Sequence, residues 1–238
     1  MRLQKILKRF EKLYSKKVED LSLNRIKLLM SKLGDPQDQI KCIQICGTNG
    51  KGSVGSFLFS ILKEANLKCN MYTSPSVVRV NERFIYNNEM ITDDALADLL
   101  AQIDEVNAGS PLTYFEALTA AFFLGCKEYK ENIVIAEFGL FGRHDAVNIL
   151  KKNLANIISS LSKDHMSWLP ENDRTIERII YEKTSSLLNS NIIVAKQSSN
   201  EIVDCIKKNL LTNSANKIFF NEDYNFVSKE NDFFLLRG

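Results

Sequence analysis

Apolar residues recur at three- and four-residue spacing from the first turn of the chain. Leu3, Ile6, Leu7, Phe10 and Leu13 share one helical face, so an amphipathic helix opens the sequence. Leu23, Ile26, Leu29, Met30 and Leu33 predict a second helix, with Ser22 as its N-cap and Gly34 and Pro36 as its stop. The period then changes. Cys42 to Cys46 is a short unbroken apolar run that reads as a buried strand, and a glycine-rich turn follows it. The next helix is expected to turn Val54, Phe57, Leu58, Ile61 and Leu62 inward. Strands are expected at Lys68 to Thr73, Ile133 to Glu137, Leu154 to Ser159 and Ile192 to Ala195, with a hairpin over 83–90 that turns at Asn87-Asn88. Helices are expected over 93–106, 114–130, 174–189 and 200–210, and short alternating strands over 217–236. Strand, helix and strand in repeated order describe an α/β fold: a mostly parallel sheet, right-handed crossovers, and helices on both faces.

Composition changes this picture little. The 238 residues are 45% hydrophobic and 25% charged, enough to bury a core as one domain over 1–238. The net charge of +2 gives no reason to expect nucleic acid as a partner. Arg2, Lys5, Lys8, Arg9, Lys12, Lys16 and Lys17 make the opening helix basic, which reads as a solvated face or, alternatively, as a surface for membrane or nucleic acid. Five cysteines, Cys42, Cys46, Cys69, Cys126 and Cys205, form no C-x-x-C pair, and Cys42, Cys46 and Cys126 sit in apolar runs as small core residues. There is no signal-peptide pattern and no apolar stretch near the roughly 20 residues that span a bilayer. The expectation is a soluble, cytoplasmic protein without a membrane partner.

The turn Gly47-Thr48-Asn49-Gly50-Lys51-Gly52-Ser53 carries the chemistry. Glycines let backbone N–H groups face an anion, and the following helix directs its positive end to the same place. Lys51 offers a mobile cation to phosphoryl oxygens, and Ser53 a hydroxyl for Mg²⁺. The spacing differs from G-x-x-x-x-G-K-[ST], because Ile45 stands in place of the first glycine and Gly52 separates the lysine from the hydroxyl. A plain glycine-rich turn is the competing reading. Glu137, at the carboxyl end of an apolar strand, stands where open α/β sheets bind ligands.

The turn, with Thr48-Asn49 inside it, resembles the nucleotide loop of the Mur ligase superfamily, and within it that of folylpolyglutamate and dihydrofolate synthases. Four further segments support the resemblance in order: Tyr72-Thr73-Ser74-Pro75 with Arg79 and Asn81-Glu82-Arg83; Thr113-Tyr114-Phe115-Glu116; Glu137 through Asn148; and Asp164-His165 followed by Glu182-Lys183. The resemblance covers roughly residues 10 to 195. It implies a P-loop NTPase-like central domain that binds ATP at Gly47 to Ser53. It implies Mg²⁺ on Ser53, Ser74, Glu137 and His165, and substrate contact at Thr113, Tyr114, Phe115 and Glu116. Lys51, His165 and Lys183 take the catalytic roles, with Lys183 carbamylated. The implied activity is ATP-dependent addition of L-glutamate to a folate through an acyl phosphate.

Plainer readings stand beside several of these roles. Thr113 and Glu116 spell an S/T-x-x-E capping box, and Tyr114 and Phe115 also suit a core. Glu182 and Lys183 read equally as a surface charge pair, and Arg143 with Asp145 as an exposed ion pair. The chain also departs from the family pattern. Ser76 replaces a histidine, Phe141 a glycine and Val147 a threonine, and Thr184-Ser185 follow Lys183 in place of Ala-Gly. No segment resembling the family's C-terminal glutamate-binding domain is found in the sequence. Three readings follow: a folate ligase, including one half of a split enzyme whose C-terminal domain is a separate polypeptide; a non-catalytic ATP-binding remnant; and a ligase of cell-wall precursors, which Asn49 and Thr113-Tyr114-Phe115-Glu116 disfavour.

Overall fold

A computed structural model describes residues 2–14, 22–229 and 232–237, with side chains to residue 226. The chain forms helices α1 (Arg2–Tyr14), α2 (Asn24–Lys32), α3 (Lys51–Glu64), α4 (Asp93–Asn107), α5 (Tyr114–Gly125), α6 (Ile176–Thr184) and α7 (Asn200–Asn209). Its strands are β1 (Lys41–Cys46), β2 (Cys69–Tyr72), β3 (Phe84–Tyr86), β4 (Glu89–Met90), β5 (Ile133–Glu137), β6 (Ala155–Ile158), β7 (Asn191–Val194), β8 (Lys217–Phe219), β9 (Tyr224–Lys229) and β10 (Asp232–Arg237). Eight strands form one sheet in the order β4-β3-β2-β5-β1-β6-β7-β8. Strands β2, β5, β1, β6, β7 and β8 run parallel, and the β3–β4 hairpin adds an antiparallel edge. Asn87 and Asn88 take positive φ at its turn, as the hairpin reading requires. Strand β8 therefore belongs to the main sheet, and among the described residues only β9 and β10 pair apart from it.

The helices divide unevenly between the faces. α1, α2 and α4–α7 pack on one face, where Cys42, Cys46, Tyr72, Val134, Ala136, Ile158, Ile192 and Val194 join the main core. Among the described residues only α3 packs on the other, over Ile45, Met71 and Ile135. The expected inward face of α3 is corrected here. Val54, Leu58 and Leu62 pack on the sheet, but Phe57 is 71% and Ile61 65% exposed, because nothing described lies outside α3. Beyond α3 the row Ile157–Ile193–Ile218, in register across β6, β7 and β8, is half-buried. Leu13 is likewise exposed on α1, with Tyr14 taking the inward position. Leu23, and not Ser22, occupies the cap position of α2, while the Ser22 hydroxyl accepts from the Asn24 N–H at 3.1 Å. Cys42, Cys46, Cys69 and Cys126 are buried and unpaired. Among the described residues no helix is long and apolar enough to cross a membrane.

Candidate functional site

Because β1, β2, β5 and β6 run parallel, the segments that leave their carboxyl ends meet at one edge of the sheet. Gly47 to Gly50 leave β1, and α3 begins at Lys51. Gly47 takes φ +143 and packs so closely that a Cβ there would lie 2.0 Å from Ser159 Oγ. Gly50 caps α3 at φ +82. The loop is braced from one side. The N–H groups of Thr48 and Asn49 both donate to Ser160 O, at 2.9 and 3.2 Å. Thr48 Oγ1 donates to Ser162 O at 3.0 Å and accepts from the Ser162 N–H at 3.1 Å. Thr48 and Asn49 thus spend their amides on the wall behind the loop, leaving Gly50 to Ser53 at the positive end of α3 to face an anion. Gln197, which the sequence reading passed over, supports that wall. It accepts from the Leu161 N–H at 2.9 Å and donates to Ser159 O at 3.1 Å. A glutamine between a strand and a helix carries no motif that would have flagged it.

A cleft of about 430 Å³ opens in front of the loop, lined by Gly50, Gly52, Ser53, Ser74, Pro75 and Glu137 among others. Glu137 is buried at the end of β5, where Ser74 N–H donates to its Oε2 at 3.4 Å and Lys51 Nζ lies 4.0 Å from its Oε1. Burial pushes the Glu137 carboxyl above its ordinary range, against the pull of Lys51 and the Ser74 N–H. Lys51 Nζ donates to Gly47 O and Thr48 O, both at 3.2 Å. Lys183 Nζ reaches the same Gly47 O at 2.9 Å.

Lys183 and Glu182 are both buried, which removes the surface-pair reading. Glu182 instead accepts from Arg143 at 2.9 and 2.8 Å and from Arg178 at 2.6 Å. Burial drives the Lys183 ammonium down, Lys51 adds to that, and Asp164 at 3.8 Å opposes it. The exposed Arg143–Asp145 pair is also corrected. Asp145 is 1% exposed and takes the backbone N–H groups of Leu140 and Val147 at 2.7 and 2.9 Å. Burial pushes its carboxyl up to about 7.

His165 stands apart from the cleft lining, at φ +52, with Nε2 3.2 Å from Asp164 Oδ2. Burial lowers its pKa, Asp164 opposes that, and Lys183 and Lys51 lower it further, so it shares the field of both lysines. Among the described residues no group of three or more His, Cys, Asp or Glu side chains forms a metal cluster. A hard cation here would depend on one carboxylate and hydroxyls, with water and phosphate oxygens completing its shell, a donor set that suits Mg²⁺. Ser53, Ser74 and Glu137 supply those oxygens at one cleft.

Thr113 to Glu116 form the capping box in full, with Glu116 N–H to Thr113 Oγ1 at 3.1 Å and Thr113 N–H to Glu116 Oε2 at 2.7 Å. Glu116 also meets Arg25 at 3.3 Å. Tyr114 and Phe115 are half-buried, and a Cβ at Gly139 would lie 2.6 Å from Phe115 Cζ. The start of α5 therefore borders the segment that leaves β5.

No protein-family model matches the chain. It is 36% identical over 193 residues to the dihydrofolate synthase/folylpolyglutamate synthase of Bacillus subtilis, covering 78% of this chain and 44% of that protein. It is 40% identical over 164 residues to the Haemophilus influenzae protein of that name, covering 69% of this chain and 36% of the other. Its structure is similar to Escherichia coli FolC in complex with DHPP and ADP, with a TM-score of 0.87, 29% identity, and 99% and 55% of the two chains covered. It is also similar to the Yersinia pestis bifunctional synthase complexed with AMPPNP and Mn ion, with a TM-score of 0.87, 28% identity, and 99% and 56% covered. The chain thus spans about half the length of these relatives.

Proposed function

We propose, on the premise that the chain is a dihydrofolate synthase/folylpolyglutamate synthase homologue with the Mur ligase fold, that it binds ATP with Mg²⁺ and serves the ligation of L-glutamate to a folate-type carboxylate. The observation that carries this reading is the meeting of Ser53, Ser74 and Glu137 at one glycine-lined cleft, with Lys51 Nζ 4.0 Å from the Glu137 carboxylate. In this reading residues 1–238 form the ATP-binding domain, and the glutamate-binding part lies in further polypeptide, in the same protein or a separate one. The folate-type substrate and glutamate are small molecules, so neither nucleic acid nor a membrane is needed, and the reaction belongs in the cytoplasm.

The amides of Gly50 to Ser53 hold the triphosphate at the positive end of α3. Lys51 leaves the Gly47 and Thr48 carbonyls for phosphoryl oxygens, and Gly47, Thr48 and Asn49 keep the loop in shape against Ser160 and Ser162. Ser53, Ser74 and Glu137, with His165 beside Asp164, are the groups assigned to Mg²⁺. When bound, the ion offsets charge on the transferring phosphoryl group. The substrate carboxylate attacks the γ-phosphorus, giving an acyl phosphate and ADP. The glutamate amine then attacks the acyl carbon, loses a proton, and expels phosphate as the amide forms. Thr113, Tyr114, Phe115 and Glu116 border the folate side. Burial favours a neutral Lys183 amine, the form that adds CO₂ to give the carbamate the resemblance implies. The protein's contribution is position and charge.

A second reading, nucleotide binding without turnover, is favoured by the altered segment after β5, where Phe141 and Val147 stand in place of the family's glycine and threonine. One experiment separates the two. The chain is given ATP, Mg²⁺, glutamate and dihydropteroate or tetrahydrofolate, with and without a C-terminal domain supplied in trans, and phosphate release and nucleotide binding are both measured. Lys51→Ala should lower turnover by on the order of 10²–10³-fold. Binding that depends on Lys51 without any substrate-dependent phosphate release selects the second reading. Nucleotide binding indifferent to Lys51→Ala defeats both.

A further inference from the structure

Phe141 has no part in the chemistry above, yet its ring is 1% exposed between two segments that bear on the site. With Leu169 and Ile179 it forms a small apolar cluster of its own, flanked by Leu140 and Met166. Leu140 and Phe141 belong to the segment leaving β5, Met166 and Leu169 to the segment leaving β6, and Ile179 to α6, one turn before Lys183. The ring also meets the imidazole of His165 edge-on, with centroids 6.1 Å apart and planes at 82°.

His165 needs such support. It sits at φ +52, a region costly for a side chain other than glycine, in a segment with two short turns, of which Met166–Trp168 begins directly after it. That turn rests on Trp168 N–H to His165 O at 3.0 Å and Leu169 N–H to Met166 O at 3.1 Å. Among the described residues the imidazole has one charged partner, Asp164, itself half-buried. One close contact leaves the ring free to swing about it, and a second from another element removes that freedom.

We propose that Phe141 is a positioning residue for His165, a buried ring that locks the β6 segment against the β5 segment and holds the imidazole towards Lys51 and Lys183. The inference rests on the reading in which His165 serves Mg²⁺. A glycine at 141 would leave the cluster hollow and the imidazole with Asp164 alone. A leucine would refill most of the space without the ring edge. Groups that orient a metal ligand from behind typically change metal affinity 10–100-fold when removed.

The test uses the whole chain, with Mn²⁺ alone as probe and electron paramagnetic resonance to count the bound ion. Phe141→Gly should weaken Mn²⁺ binding about tenfold, and Phe141→Leu should stay within about threefold of the parent. Ile179→Ala, which hollows the same cluster from α6, should lower the melting temperature and leave Mn²⁺ affinity in place. A second readout needs no metal: exchange of the Trp168 amide, whose bond closes the His165 turn. It should quicken about tenfold in Phe141→Gly and far less in Ile179→Ala. If Phe141→Gly does not fold, the same comparison is made between Phe141→Ala and Ile179→Ala. Equal effects of the 141 and 179 substitutions on Trp168 exchange would overturn the proposal, since Phe141 would then be only filling. Should Glu137→Gln and His165→Ala leave Mn²⁺ binding unmoved while Trp168 still responds to Phe141, the metal reading falls and the positioning role stands.

Discussion

Two segments leave neighbouring parallel strands and border one cleft, and they are built on opposite principles. The segment after β1 is held by backbone: glycines at positive φ, amides donated to Ser160, and one threonine hydroxyl shared with Ser162. The segment after β5 is held by buried side chains. Asp145 gathers the Leu140 and Val147 amides, Glu182 O takes those of Gly142 and Arg143, and the Glu182 carboxylate grips Arg143 and Arg178. A loop that must present its own amides to a ligand cannot fill its space with side chains. A loop that only has to stand still can. The first is therefore cheap to brace and sensitive to any added atom, and the second rests on a few buried charges.

Three measurements can break or sharpen that contrast. Removing the carboxylate of Glu182 should do the most damage. Glu182→Ala leaves two guanidinium groups without their partner and should cost roughly 2–4 kcal/mol in thermal or denaturant unfolding, below the figure for a fully buried pair because both arginines are about a third exposed. A loss under about 0.5 kcal/mol would mean that the grip on Arg143 and Arg178 is worth no more than a surface pair. Thr48→Val should cost less, about 1–2 kcal/mol, since it deletes one hydroxyl with two bonds to Ser162. It should also weaken nucleotide binding, which Glu182→Ala would do only through lost stability. The third measurement is a dependence on pH. The Asp145 carboxyl holds its proton more tightly folded than unfolded, so this group makes stability fall as pH rises from its ordinary 3.8 towards about 7. Glu182 works the other way. Burial raises its pKa but the arginines outweigh that and lower it, so its contribution is complete above the ordinary 4.5 and is lost as pH falls below that value. Melting temperatures of the parent and Asp145→Asn across this range should converge towards low pH, the variant lacking the fall above pH 4.

The same contrast governs what the sequence discloses. The β1 segment was legible because its physics is written in residue types: glycines, a lysine and a serine between an apolar strand and a helix. The succession of strands and helices along the chain, the Asn87-Asn88 turn and the capping box at Thr113 were legible for the same local reason. The β5 segment was opaque, because Asp145 and Glu182 look like any surface carboxylates until the chain brings 142 against 182. Phe57 and Ile61 misled for a related reason. Helical spacing shows that a face is apolar, and only tertiary structure shows whether anything covers it. His165 was assigned to Mg²⁺ through the family resemblance, after the strand that follows Glu137, but its separation from the cleft lining lay in a backbone turn at positive φ that no pattern of residue types announces.

The bracing of the nucleotide loop by Ser160 and Ser162 also sets an order of events during synthesis. Thr48 and Ser162 are separated by 114 residues, and β1 finds both of its sheet partners, β5 and β6, only in that later stretch. A ribosome adding roughly 5–20 residues per second needs about 6–23 s to deliver the wall once the loop has been made. Until β5 is made, for most of that interval, the nascent strand has no neighbour to pair with, so the earliest part of the site to be translated is among the last to take shape.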